Sequence, residues 1–280
     1  MTSVRRGTGS DVAGSRPYRP GDDAHAIDWA ASARLSSAHS TDEFIVREYL
    51  AEEAPRVVVL SDRRPAMSLF PRPLPWLDKP EAMRQAAGLV AEATLAARGF
   101  FGYLDLGGDE EEGVPPRTHY ELPKGALEGS FAAPEDNLAR AFRFLAETQP
   151  ILPAGTFVFV LSDFLMPFDE QAWIAAIERR WDIVPVVIQD PVWEQTFPYV
   201  DNIAFPFADP RTGRVTHIRM SAEEANARRE HNEHRLRALF KHLRMLGVEP
   251  ILVSSADPQQ ILLAFSGWTE QRIAQRGAGW

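Results

Sequence analysis

From residue 56 onward, apolar runs of strand length at 57–60, 103–106, 157–161, 183–188 and 251–253 alternate with segments of helical period. A run that is apolar at nearly every position has no polar side to give to water, so each such strand must be covered on both faces. Helices alternating with those strands supply the cover, which is the pattern of βα units around a buried, mostly parallel sheet. The fold class predicted is α/β: a mostly parallel central sheet flanked by helices, Rossmann-like in arrangement, with a short N-terminal arm.

The helices have readable ends. Asp78 is placed to cap a helix with Pro80 in its first turn and Glu81 at the capping-box position; Met83, Ala86, Val90 and Ala97 form its inner stripe and Gly99 ends it. Leu138, Phe142 and Leu145 share one face of a helix over 135–147, and Trp173, Ile174, Ile177 and Trp181 mark another over 170–181. Ser221 with Glu224 opens a long helix whose Leu236, Leu239, Phe240, Leu243 and Leu246 face inward before Gly247 terminates it. Residues 201–220 interrupt the alternation with turn chemistry at 209–213 and read as a hairpin, while five prolines within 63–80 predict a stiff loop after the first strand. The resulting division is a flexible tail over 1–14, an arm over 15–54 with a strand near 44–49, and one large domain over 55–280.

Composition narrows the chemistry. The 280 residues contain no cysteine, which removes disulfides, thiolate metal sites and cysteine nucleophiles, and leaves oxygen or imidazole for any metal. A formal charge of −9 disfavours a broad phosphate-binding face, so nucleic acid is not an expected partner. No apolar run approaches the ~20 residues of a membrane helix, and the first residues lack a signal-peptide pattern, so membrane insertion is not expected and the cytoplasm is the predicted location. Phosphate-loop, nucleophile-elbow and zinc-protease motifs are missing, and His231 and His234 fall on the polar face of the long helix. The acidic run 109–112 reads as a solvated loop tip.

Two strands end alike, in Leu60-Ser61-Asp62 and Leu161-Ser162-Asp163. In an open parallel sheet, ligands bind beyond the carboxyl ends of the strands, so Asp62 and Asp163 are placed to share one crevice. The competing reading is that both aspartates only cap neighbouring turns. Two ionised carboxylates about 4 Å apart repel by roughly 4 kcal/mol at an effective dielectric of 20, so a shared crevice requires a countercharge. Arg64, two residues after Asp62, either supplies it or points to solvent.

The string Arg16-Pro17-Tyr18-Arg19-Pro20-Gly21-Asp22-Asp23, followed by Ile27-Asp28-Trp29, Ala33-Arg34, Leu60-Ser61-Asp62, Leu161-Ser162-Asp163-Phe164, Asp190-Pro191 with Glu194 and Asp209-Pro210 with Gly213, resembles the domain-of-unknown-function 58 family. The resemblance implies a six-stranded, mostly parallel core similar to a von Willebrand factor A domain, and a non-enzymatic, protein-binding adaptor role with a MoxR-type AAA+ ATPase as partner. Intact A domains hold a metal at an Asp-x-Ser-x-Ser motif completed by a Thr and a second Asp. Here the serine positions are Arg64 and Ala66, the Thr position falls near Asp136, and Asp163 matches, so the resemblance implies a degenerate metal-ion-dependent adhesion site with no metal and no cofactor. The candidate binding set is therefore Asp62, Arg64, Asp136 and Asp163. The alternative is a metal-dependent hydrolase or phosphoryl-transfer enzyme using Asp62, Asp136 and Asp163. In the arm, Arg16, Tyr18, Gly21, Asp22, Asp23, Asp28, Trp29 and Arg34 form either a salt-bridge and tryptophan clasp or a partner-docking surface.

Overall fold

The computed structural model describes residues 3–6, 12–18, 27–39, 44–68, 76–106, 112–117, 131–148, 152–166, 169–209 and 212–277. The chain divides into two compact units, residues 1–55 and 56–280.

In the first unit, β1 (Ser3–Arg6) and β2 (Val12–Pro17) flank β3 (Ile45–Glu53) in an antiparallel sheet of order β1-β3-β2, and α1 spans Trp29–His39. The stretch 1–14, expected as a flexible tail, thus holds β1 and the start of β2. Both pair with the nine-residue β3 through backbone groups, a bond that needs no apolar periodicity in the sequence. Asp28 caps α1, its Oδ1 accepting from the Ala31 N–H at 3.0 Å. Ser32 Oγ ties the helix to the sheet by donating to the Asp28 carbonyl (2.7 Å) and accepting from the Ile45 N–H (2.8 Å). Trp29 and Tyr18 both meet Phe44 edge-on. Trp29, expected as an anchor, is 63% exposed. Arg34 is exposed and Arg16 lies in β2, whereas Gly21, Asp22 and Asp23 fall outside the described residues.

The second unit runs β4 (Arg56–Ser61), α2 (Lys79–Ala96), β5 (Phe100–Asp105), β6 (Glu112–Arg117), α3 (Asn137–Thr148), β7 (Phe157–Ser162), α4 (Glu170–Glu178), β8 (Asp182–Ile188), β9 (Ile203–Ala208), β10 (Val215–Met220), α5 (Ala222–Met245), β11 (Ile251–Val253) and α6 (Pro258–Gly277). Its six-stranded sheet has the order β11-β8-β7-β4-β5-β6, with five strands parallel and β6 antiparallel to β5. β9 and β10 form the separate hairpin that the turn chemistry of 209–213 predicts.

Alternate residues of the strands feed two cores. Val57 and Val59 face α2 and α6 through Met83, Ala86, Val90, Phe265 and Trp268. Val58 and Leu60 face α3, α4 and α5, where Trp173 packs edge-on between Phe142 and Phe164. Asp78 caps α2 by accepting from the Glu81 N–H, and Ser221 and Glu224 form the reciprocal box on α5. Two inner positions differ from expectation: Ala97 is exposed because α2 has already ended at Ala96, and Ile174 lies on the outer side of α4. Arg98, rather than Gly99, takes the left-handed conformation at the end of α2 (φ 54°), while Gly247 takes it after α5 (φ 76°).

The chain leaves β4 for β5 and β6 on one side and returns to β7 on the other. The carboxyl ends of β4 and β7 therefore flank the point where strand order reverses, which is where open α/β sheets form a crevice. Among the described residues, no helix is long and apolar enough to cross a membrane.

Trp173→Ala removes the ring on which the second core closes. Urea denaturation is expected to show a loss of about 3–5 kcal/mol, the range for emptying a large buried aromatic site; a loss below about 1 kcal/mol would mean that α4 does not depend on this contact.

Candidate functional site

The Asp62 N–H continues the sheet ladder by donating to the Leu161 carbonyl at 2.9 Å, so Asp62 and the end of β7 are held side by side. Both Asp62 and Asp163 are completely buried. Arg64 folds back over Asp62: Nε donates to Oδ1 (3.0 Å) and Oδ2 (2.9 Å), Nη2 donates to Oδ2 (2.5 Å), and the Arg64 backbone N–H donates to Oδ1 (3.0 Å). The same Nη2 reaches Ser162 Oγ at 3.2 Å and Asp163 Oδ1 at 3.4 Å. One guanidinium thus spans both strand-end carboxylates, and the planar fork is the geometry that lets it do so.

The structure brings Asp62, Arg64 and Asp163 together and leaves Asp136 out. Asp136 lies in the turn before α3 with its side chain 59% exposed, 3.7 Å from Arg143. Its neighbour Asn137, the first residue of α3, faces the crevice instead and donates Nδ2 to Asp62 Oδ1 at 3.2 Å. One residue along a helix turns the side chain by about 100°, which separates the exposed carboxylate from the buried amide.

Lys79 is the second cation of the site, and the sequence reading did not place it there. Its ammonium, 1% exposed, donates to Asp163 Oδ2 at 2.9 Å and contacts Glu194 Oε1 at 2.5 Å. Burial works against the Lys79 charge, but Asp163 and Glu194 outweigh it and hold its pKa above the usual lysine range. Arg64 is likewise raised: burial opposes its charge, while the hydrogen bond and charge of Asp62, aided by Asp163, prevail. The Asp163 carboxyl, which burial alone would push up, is held below its ordinary value by Lys79 and Arg64. Glu194 moves the other way, raised by burial and by the charge of Asp163 in spite of Lys79. Lys79 therefore serves Asp163 first, and Glu194 is the carboxyl that keeps its proton to higher pH.

Further donors complete the rim. Asp190, after β8, accepts at Oδ1 from the Val192 and Trp193 N–H groups (2.8 and 3.0 Å) and at Oδ2 from the Trp76 and Leu77 N–H groups (both 2.9 Å). It thereby ties the segment before α2 to the end of β8. Glu194 Oε2 accepts from the Asp190 N–H at 2.8 Å, and Arg235 of α5 donates to the Glu194 carbonyl at 2.5 Å. At the end of β5, Arg63 pairs with Asp105 at 3.3 Å under the Phe131 ring.

This donor set does not fit a divalent cation. Magnesium and calcium need six or more oxygens, several of them free to turn a lone pair inward. Asp62 Oδ1 receives three N–H donors, Oδ2 receives Arg64 and the Ser162 hydroxyl (2.6 Å), and Asp163 is shared between the Leu165 N–H (3.1 Å), Arg64 and Lys79. A cation would have to displace a guanidinium that already neutralises the site.

Residues 14–238 match the family described as protein of unknown function DUF58. Curated relatives include uncharacterized proteins of Mycobacterium bovis and Mycobacterium tuberculosis, each 26% identical over 191 residues. The match takes in 66% of this chain and 56% of each relative, so the chain spans about half the length of these proteins. Among solved structures, the crystal structure of the conserved hypothetical protein BatB from Bacteroides thetaiotaomicron superposes with a TM-score of 0.46 at 16% identity, covering 80% of this chain and 100% of that one.

Lys79→Met leaves Asp163 and Glu194 buried without their shared cation, and a loss of about 3–5 kcal/mol is expected near neutral pH. In the wild type, the depressed Asp163 stabilises the fold above its ordinary pKa of 3.8 and loses that contribution as pH falls through its folded value. The raised Glu194 has the opposite sign, its contribution being full below its ordinary 4.5 and lost as pH rises through its folded value. Without Lys79 both carboxyls titrate upward, so the defect is expected to shrink between pH 8 and pH 5 in urea denaturation; a defect independent of pH would show that the ammonium does not compensate these carboxylates.

Proposed function

This chain belongs to the DUF58 family, and from that premise we propose that it is a non-catalytic adaptor that docks a protein partner on its strand-end rim. The partner in this reading is a MoxR-type AAA+ ATPase, as the family resemblance implies. The observation that carries the reading is the closed charge network: Arg64 and Lys79 occupy the carboxylate oxygens that substrate or metal would need. In this account the core is von Willebrand factor A-like with a degenerate adhesion site. Arg64 and Ala66 stand where hydroxyl ligands would be, and the guanidinium supplies in permanent form the charge that a metal supplies reversibly. An adaptor gains from this because rim loops fixed in advance cost less entropy to dock.

Two exposed side chains give the rim something to dock with. Trp76 is 72% exposed although its backbone N–H is fixed to Asp190, and Met166 stands exposed just beyond Asp163. A large aromatic on a rigid backbone is the composition of a binding hot spot. The interaction is placed in the cytoplasm, where an AAA+ partner finds ATP. The enzymatic alternative has less support, because Asp136 faces away and Asp62 has no oxygen left to act as base or ligand.

Binding of the purified chain to the MoxR-type ATPase of the same organism, measured by surface plasmon resonance, tests the reading. Wild type is expected to bind, and Trp76→Ala and Met166→Asp are each expected to raise Kd at least tenfold, about 1.4 kcal/mol, with unchanged circular dichroism. Equal binding by the variants, no binding by wild type, or phosphatase or nuclease turnover that Asp163→Asn abolishes would overturn it.

A further inference from the structure

A second surface stands apart from the rim. α5 passes the rim at its middle, where Arg235 meets Glu194, and ends at Met245, just before Gly247 turns the chain toward β11. Its later half, with Leu252 of β11, lines an open groove of about 570 Å³. Among the described residues, β11 is the edge of the sheet and pairs with β8 alone. Because strand side chains alternate, Ile251 and Val253 enter the core under α6 while Leu252 turns toward α5 and forms the groove floor with Leu236 and Phe240. Met245, 68% exposed, also lines it.

The wall of this groove is cationic in a chain of net charge −9. Arg237, Lys241 and Arg244 recur at the i, i+4, i+7 spacing that keeps three side chains on one side of a helix. Two acids partly balance them: Glu233 lies 3.7 Å from Arg237 and Glu249 lies 3.1 Å from Arg244. Lys241 is exposed and has no acidic partner among the described residues. Arg244 also lies 5.9 Å from the centre of the Phe240 ring, which joins the charged wall to the apolar floor.

We propose that this groove docks a partner segment in which apolar side chains alternate with acidic ones, the carboxylates meeting Lys241 and its neighbours. The shape suits a peptide better than a small molecule, since small-ligand pockets enclose most of their guest and this groove is open to solvent. From Leu236 to Met245 the helix rises about 14 Å at 1.5 Å per residue, room for about four residues of extended chain. Arginine, phenylalanine and an adaptable methionine are the residue types that interfaces favour. The proposal does not depend on the adaptor reading, because it uses a different surface and a different ligand chemistry.

Selection of a randomised twelve-residue phage-display library on the full chain tests it. Recovered peptides are expected to combine Leu, Ile or Phe with Asp or Glu, and a synthetic peptide of that sequence is expected to lose at least tenfold in affinity, by fluorescence anisotropy, for Lys241→Glu and for Met245→Glu. Both positions are exposed, so circular dichroism should not change. A peptide with its acids replaced by lysine is expected to recover binding to a Lys241→Glu, Arg244→Glu double variant. The proposal is overturned if no peptide is enriched, if the enriched peptides are basic or uncharged, or if the variants bind unchanged. Light scattering that shows a wild-type dimer converted to monomer by Met245→Glu would also overturn it, assigning the groove to a second copy of the chain.

Discussion

The geometry of the strand-end rim depends on the cost of placing two carboxylates side by side at the reversal point of a parallel sheet. Asp62 and Asp163 are both fully buried, and burying two carboxylates together is costly without positive charge within hydrogen-bond reach. Arg64 answers from the same loop as Asp62, and Lys79 answers from the first turn of α2. The two cations divide the work. The fork of Arg64 spans Asp62, Ser162 and Asp163, while the ammonium of Lys79 spans Asp163 and Glu194. Four segments separated in sequence are thereby joined at one end of the sheet.

From this junction the constraint spreads along backbone hydrogen bonds. Glu194 holds the Asp190 N–H, Asp190 holds the two N–H groups that lead into α2, and Arg235 and Asn232 of α5 hold carbonyls of the loop over 193–196. Each of these buried hydrogen bonds makes the arrangement specific, since losing one partner strands the other in a low-dielectric interior. The segment before α2, the end of β8 and the loop over 193–196 are thereby tied to one another and to α5.

Much of this was legible in the residues, for identifiable reasons. The repeated Leu-Ser-Asp endings, combined with the rule that parallel strands present their carboxyl ends together, were enough to pair Asp62 with Asp163, and electrostatics then pointed to Arg64. Asp136 was misplaced because its neighbour Asn137 carries the inward direction at the start of α3, and a turn residue gives no periodic signal of facing. Lys79 was hidden because it follows a helix cap, where a lysine normally reaches into water. β6 was missed because Pro115 and Pro116 argue against a strand, a conflict that an edge position resolves. β1 was missed because polar strands paired through backbone carry no apolar alternation.

The central claim is that the Arg64 guanidinium occupies the carboxylate oxygens of the strand-end crevice. Isothermal titration of Mg²⁺ into the wild-type chain tests it most directly, with an Arg64→Ser, Ala66→Ser double variant alongside. The account requires no binding to wild type at micromolar metal and binding gained in the variant, whose two hydroxyls add oxygen ligands beside Asp62 and Asp163. Micromolar Mg²⁺ binding to the wild type would contradict it, because Arg64 would then have yielded the carboxylates it is held to occupy.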